Sequence, residues 1–299
     1  MKFNNKIYLP IIKKFVRVEP LVNKHYLELS KFITNNDDEG ISDYLNYIVS
    51  EVLFEKNVLN DLSNIDKFII ILSSKIISSG SKISILGTNN VKTEFSLSGI
   101  INNIVKKIKD FDYEKIITSD NLEITISLPK NLLIQDIDQI YKEIINKIKI
   151  NDECIFFNNL TEKEKVDIME IIPISLTGDI MDYINKIQDI FKNASIIQEN
   201  LKMGMQNLTL NAFDNTLFVF IKSLFGENLK NYYELQYILY TKLNMSLEHY
   251  MSITPNDCKI FINLYNEDMK KQQEEQQNGS SGGMPKLPPM PSMPSAPKF

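Results

Sequence analysis

Arginine is almost missing from this chain. Arg17 is the only one, and every other basic side chain is a lysine. Arginine supplies the planar fork that reads phosphates and bases in two-point contacts. The overall balance is mildly acidic, with 33 basic against 38 acidic residues. Both facts argue against nucleic acid as a partner, because phosphate binding rests on clustered cations. Cysteine is equally scarce. Cys154 and Cys258 exclude a disulfide framework and suit a reducing cytoplasm, and their apolar surroundings read as those of small buried hydrophobes. The two histidines, His25 and His249, have no cysteine, glutamate or histidine at ligand spacing, so each reads as a helix-surface or core residue rather than a base or metal ligand. There is no glycine-rich phosphate loop. There is no N-terminal secretory pattern, and the longest apolar run, Phe68–Leu72, is far too short to span a bilayer. These absences exclude membrane insertion and leave no expected catalytic residue, cofactor or metal. The acidic clusters at Asp37–Glu39, Glu162–Glu164 and Glu267–Asp268 read as loops and helix ends, and the lysines 106, 107 and 109 as a solvated face.

What is present is helical periodicity interrupted by a few short strands. A length of 299 residues accommodates one large or two modest domains. Segments around Ile7–Leu9 and Phe15–Val18, punctuated by Pro10 and Pro20, predict a strand pair. Helices follow over Val22–Ile33 and Ile41–Phe54. Ser63 and Asp66 have capping-box spacing ahead of a helix that runs to Ser79 and stops at Gly80. Its apolar residues cover nearly all sides, which predicts the central buried helix of an N-terminal domain. Lys82–Leu86 and Thr93–Leu97 alternate with period two around Gly87, Asn89 and Asn90 and predict a hairpin. Ser98 is placed to cap the next helix, to about Lys109. Leu122–Leu128 is expected to join that hairpin before a helix over Leu132–Ile148. Beyond 151 no strands are expected. Thr161 and Glu164 form a capping box whose helix ends before Pro173. Asp179–Met205 is predicted as one long helix with Ile180, Ile184, Ile187, Phe191, Ala194, Gln198, Leu201 and Met205 on a heptad-like seam, which can pair within the chain or with a second subunit, so an oligomer stays open. The fold class is therefore α+β, mainly α: N-terminal helices with a small, mainly antiparallel sheet over 1–150, then an all-helical region over 151–272.

The last folded stretch has more apolar and aromatic surface than one core stripe needs. A helix over Leu229–Leu243 places Tyr232, Leu235, Leu239 and Leu243 on one side and Tyr233, Tyr237 and Tyr240 on another. The second stripe is either enclosed by its own domain or offered to a partner, and its three tyrosines are candidate partner-binding residues. After a short turn, Thr254, Pro255 and Asp257 mark the start of a second helix, with Cys258, Phe261, Ile262, Tyr265 and Met269 along one face. Beyond Lys271 the composition changes to a Gln/Gly/Ser linker and a Pro/Met-rich tail over 273–299, expected to be disordered. Pro285, Pro288, Pro291, Pro294 and Pro297 recur every third residue, as do Leu287, Met290, Met293, Ala296 and Phe299. On a polyproline II helix these sets form separate edges. Leu287, Met290, Met293 and Phe299 are the tail's candidate docking residues; a low-complexity end without a partner is the other reading.

Three stretches carry a resemblance: FVRVEPLVNKHYLEL (Phe15–Leu29), LSNIDKFIIILSSKIISSGSKISI (Leu62–Ile85) and the C-terminal Leu224–Asp268. Their order and pattern resemble the baseplate hub assembly proteins of T-even-like contractile-tailed bacteriophages, over most of residues 7–270. The resemblance implies a non-enzymatic tail morphogenesis protein that works in the host cytoplasm. Its implied partners are other baseplate hub or tape-measure proteins, for which it serves as an assembly factor or chaperone. The alternatives are a structural hub subunit retained in the virion and an enzyme with an unrecognised active site. A cleft joining His25 or His249 to carboxylates would favour the enzyme.

Overall fold

The computed structural model describes residues 5–86, 92–109, 111–119, 122–134, 136–151, 153–193, 197–200, 204–207, 210–226 and 229–279. In chain order, the strands β1 (Lys6–Leu9) and β2 (Lys14–Arg17) are followed by α1 (Asn23–Thr34), α2 (Asp38–Val52) and α3 (Asn64–Ser79). The strands β3 (Lys82–Leu86) and β4 (Lys92–Ser96) lead into α4 (Leu97–Ile108), then β5 (Glu114–Ser119) and β6 (Leu122–Ser127). Next come α5 (Ile137–Ile144), β7 (Ile145–Ile150), β8 (Glu153–Phe156), α6 (Glu162–Ile171) and α7 (Ile174–Asn193). The chain closes with β9 (Ile197–Asn200), β10 (Gly204–Asn207), α8 (Asn215–Phe225), α9 (Leu229–Leu243), α10 (Leu247–Ser252) and α11 (Pro255–Gly279). The fold is α+β and mainly helical, and every strand pairing among the described residues is antiparallel.

The chain divides into two compact units. One comprises residues 1–20 and 37–224, the other residues 21–36 and 225–299. In the first, α3 is the central helix. The Ser63 hydroxyl accepts from the Asp66 backbone N–H at 3.2 Å and donates to the Asp66 carboxylate at 3.3 Å, closing the start that the sequence spacing predicts. Gly80 ends the helix at φ +102°, a backbone conformation that costs glycine little. Between them Phe68, Ile69, Ile70, Ile71 and Leu72 are all buried. Phe68 meets Phe191 of α7 at 5.6 Å and Phe220 of α8 at 6.1 Å between ring centres. Helices α2 and α4 also pack on α3, and α7 packs on α4 and β5.

Several local expectations are corrected. Leu122–Ser127 does not join the β3–β4 hairpin; it is the second strand of a separate sheet of order β5-β6-β7-β8. The helix expected over 132–148 spans only Ile137–Ile144, and β7 follows without a loop. Here KIKI alternates with period two, and pairing with β6 overrides the helical reading. The 150/151 position chosen as a domain boundary falls inside the β7–β8 hairpin. Strands do occur beyond 151, in β8 and in the β9–β10 pair. Their sequences, ECIF, IQEN and GMQN, are too short to show alternation and include the poor strand formers Asn and Gly. The long seam helix therefore stops at Asn193. Ile180, Ile184, Ile187 and Phe191 are buried, whereas Gln198 and Met205 lie on paired strands. Ser96 rather than Ser98 caps α4, accepting from the Gly99 N–H at 3.2 Å. Cys154 is exposed, because it sits on β8, an edge strand of its sheet. The turn residues Gly87, Asn89 and Asn90 lie outside the described residues, as do Ala194 and Leu201 of the seam.

Candidate partner-binding surface

The second unit joins the α1 segment, residues 21–36, to the C-terminal helices. Helix α1 packs on α9 and α10, and Asn23 at its start makes the decisive contacts. Its backbone N–H donates to the Ile253 carbonyl at 2.9 Å. Its side-chain amide donates to the Tyr250 carbonyl at 2.9 Å and to the Cys258 sulfur at 3.0 Å. Asn23 thus satisfies one carbonyl at the end of α10 and another between α10 and α11, which would otherwise lack partners. Burial pushes the Cys258 thiol up to about 11, so it is a neutral packing group. Leu235, Leu239, Met245, Tyr250 and Cys258 form the core here, with Leu243, Met251, Ile253 and Ile262 packed against it. The Tyr250 hydroxyl donates to the Tyr232 carbonyl at 3.3 Å. Farther along α1, the Ser30 hydroxyl donates to the Phe225 carbonyl at 3.0 Å, and the Tyr26 and Phe225 rings lie 5.5 Å apart.

This core fixes which side of α9 faces outward. Tyr232, Leu235 and Leu239 point inward and are buried. Tyr233, Tyr237 and Tyr240 follow the other stripe and are 48%, 69% and 64% exposed, so their own unit does not enclose them. The Lys31 ammonium donates to the Glu28 carboxylate at 2.7 Å, and this bond holds it above the usual lysine value. The turn expected before the last helix contains a further short helix, α10. Helix α11 starts as its sequence predicts: the Thr254 hydroxyl accepts from the Asp257 N–H at 3.2 Å, and the Asp257 carboxylate accepts from the Thr254 N–H at 3.0 Å. The face assigned to it needs one correction. Cys258 and Ile262 pack inward, but Phe261 is 38% exposed, beside exposed Ile260 and Leu264. The helix also continues to Gly279, through QQEEQQNG. Gln and Glu are good helix formers, and nothing before Gly279 breaks the helix. Leu287, Met290, Met293 and Phe299 of the tail lie outside the described residues.

Reactive groups converge poorly. His25 is buried, and its Nδ1 accepts from the Val22 N–H at 3.1 Å; His249 is exposed on α10. Among the described residues no group of histidine, cysteine, aspartate or glutamate is placed to hold a metal. A cleft of about 580 Å³ in the first unit is lined by Asp38, Glu39, Asp43, Lys142, Glu143 and Glu162 among others, and by neither histidine. Three of its acids have partners. Glu162 is bonded by Lys142 and Lys165, both at 2.8 Å, and those ammonium groups push its carboxyl down to about 2. Glu143 accepts from Asn131 Nδ2 at 2.6 Å, and Asp38 pairs with Lys222 at 2.9 Å. Among the described residues no helix is long and apolar enough to cross a membrane.

The sequence reading missed a second exposed aromatic group, on the β1–β2 hairpin. Tyr8 and Phe15 face each other across the strands with ring centres 5.1 Å apart. The Arg17 guanidinium lies 3.7 Å from the centre of the Phe54 ring. The available signal was the alternation itself: Leu9 and Val16 go inward, which turns Tyr8, Phe15 and Arg17 outward.

Exposed aromatic faces, on the β1–β2 hairpin and on α9, mark this fold as one that presents surfaces. The family model described as T4 bacteriophage base plate protein matches residues 1–215. That match covers most of the chain, and the protein belongs to this family. No curated protein and no solved structure matches it.

Proposed function

We propose that this protein is a non-enzymatic assembly factor for the phage baseplate hub, acting through protein–protein contacts with hub or tape-measure proteins in the host cytoplasm. Membership in the base plate family supports a tail role. The observation that carries the finer reading is the tyrosine stripe of α9. Three large aromatics at helical spacing stay exposed on a unit that has its own buried core. Tyrosine brings large contact area at low entropic cost and is enriched at protein interfaces. The proline-spaced tail is a second docking element, with Leu287, Met290, Met293 and Phe299 on its apolar edge. Residues 272–279 ahead of the tail continue α11 and rise about 1.5 Å per residue.

Two variants test this reading against purified hub and tape-measure proteins: deletion of 284–299, and Tyr233→Ser with Tyr237→Ser and Tyr240→Ser. The deletion is expected to leave the melting temperature unchanged and to lower the yield of complex. The tyrosine variant is expected to do the same, since surface changes away from the core shift stability by only about 0.5 kcal/mol each. Unchanged yields for both would contradict the proposal. The second reading, a structural subunit retained in the particle, is favoured by the family's description as base plate protein.

A further inference from the structure

Residues 1–18 contain Lys2, Lys6, Lys13, Lys14 and Arg17 and no acidic residue, in a chain whose net charge is −5. The β1–β2 hairpin turns part of this stretch into a defined surface. Its inner side buries Leu9 and Val16. On the outer side Tyr8 pairs with Phe15 and Lys6 with Arg17. Phe15 is 70% exposed. The face is widened by a third extended segment: Val18 bridges to Leu53, and the Phe54 N–H donates to the Arg17 carbonyl at 3.0 Å. This sets the exposed Phe54 ring beside the guanidinium.

Arg17 is held in place before any partner arrives. The Phe54 ring supports its flat face at 3.7 Å. Glu55 takes Nε at 2.9 Å through one oxygen and the Arg17 backbone N–H at 2.7 Å through the other. Those bonds use Nε alone. Among the described residues nothing bonds the two Nη groups, which are the remaining donors of the fork that matches a carboxylate. A guanidinium fixed in this way loses little freedom on binding. Exposed aromatics beside a held arginine have the composition of an interface hot spot.

We propose that this face docks an acidic segment of a partner protein, with a carboxylate on the Arg17 Nη groups and an apolar or aromatic side chain against Tyr8 and Phe15. The proposal rests on the reading of the chain as a protein that works by contacts, and it names one contact and its chemistry. Charge disfavours a second copy meeting the same face across a two-fold axis, because each copy brings the same excess of cationic side chains, Lys6 and Arg17 against the single Glu55. Charge also disfavours a nucleic acid: Glu55 stands in the face, and phosphate binding needs several cations together.

The test uses the full chain and three defined polymers, a random Glu/Tyr copolymer, polyglutamate and heparin, with binding read by calorimetry. The copolymer is expected to bind saturably and more tightly than the other two. Arg17→Lys keeps the charge and loses the fork, and it is expected to weaken binding about tenfold. Phe15→Ser is expected to weaken it as well, whereas Lys107→Gln, which removes an exposed charge on α4, is expected to change nothing. Because Phe15 is largely exposed, that variant decides the matter should Arg17→Lys melt early. Binding of polyglutamate or heparin as tight as that of the copolymer would overturn the proposal. So would wild-type affinity in both hairpin variants, an equal loss in Lys107→Gln, or no binding of the copolymer at all. None of these outcomes depends on the tail or on the α9 tyrosines, so the hub-complex assay and this one can fail separately.

Discussion

Phe68→Ala is expected to destabilise the first unit by about 3–5 kcal/mol. Phe68 lies in the second turn of α3 with no exposed surface. Its ring contacts Phe191 and Phe220 from two other helices, so truncation removes its own burial and leaves a void that three elements line. Two of those linings are aromatic and stiff, and close-packed interiors relax only partly around a lost ring. Denaturant melts at neutral pH measure the change. A loss below about 1 kcal/mol would mean that the α3–α7–α8 cluster is not the core of this unit.

Asp66→Asn is expected to stabilise the protein at pH 7 and to have much less effect at pH 4. Burial pushes the Asp66 carboxyl up to about 6, against hydrogen bonds from the Ile11 N–H and the Ser63 hydroxyl that favour the ionised form. The ordinary value is 3.8. Between these values the folded protein binds a proton that the unfolded chain has released, so stability is highest below about pH 4 and falls as pH rises through about 6. The shift corresponds to about 3 kcal/mol lost by pH 7. Asparagine keeps an acceptor for the Ile11 N–H and carries no charge, so the variant lacks this slope. Melts at the two pH values give the difference directly. A stability difference that is the same at both would contradict the buried, proton-holding carboxyl.

Local signals in the sequence translate well into this structure. The capping pairs Ser63/Asp66, Thr161/Glu164 and Thr254/Asp257 all close as their spacing predicts, because a cap involves only residues three apart. Helix α9 spans the predicted Leu229–Leu243, with its two stripes on different sides. What stays illegible is what depends on distant partners. KIKI becomes a strand only because β6 lies beside it. Nothing near Asn23 shows that its amide reaches Tyr250, 227 residues away, and so nothing in the sequence assigns α1 to the C-terminal unit. The exposure of the α9 tyrosines had two readings from periodicity alone, and the packing of Leu235 and Leu239 against Tyr250 decides which side is outward. The hairpin face was legible in principle. Its alternation puts the chain's single arginine beside two aromatics, yet an isolated strand pair gives no hint that Phe54 supports that arginine from 37 residues on.

The proposed assembly role implies that this base plate family member meets the hub through transient contacts. The most direct measurement is the amount of this chain in purified mature particles, set against the amount bound to hub proteins in infected cells before tails are complete. Abundant chain is expected on hub intermediates, with far less than one copy per hub subunit in the finished particle. A fixed stoichiometric complement in the finished particle would contradict that role and make the chain a structural subunit.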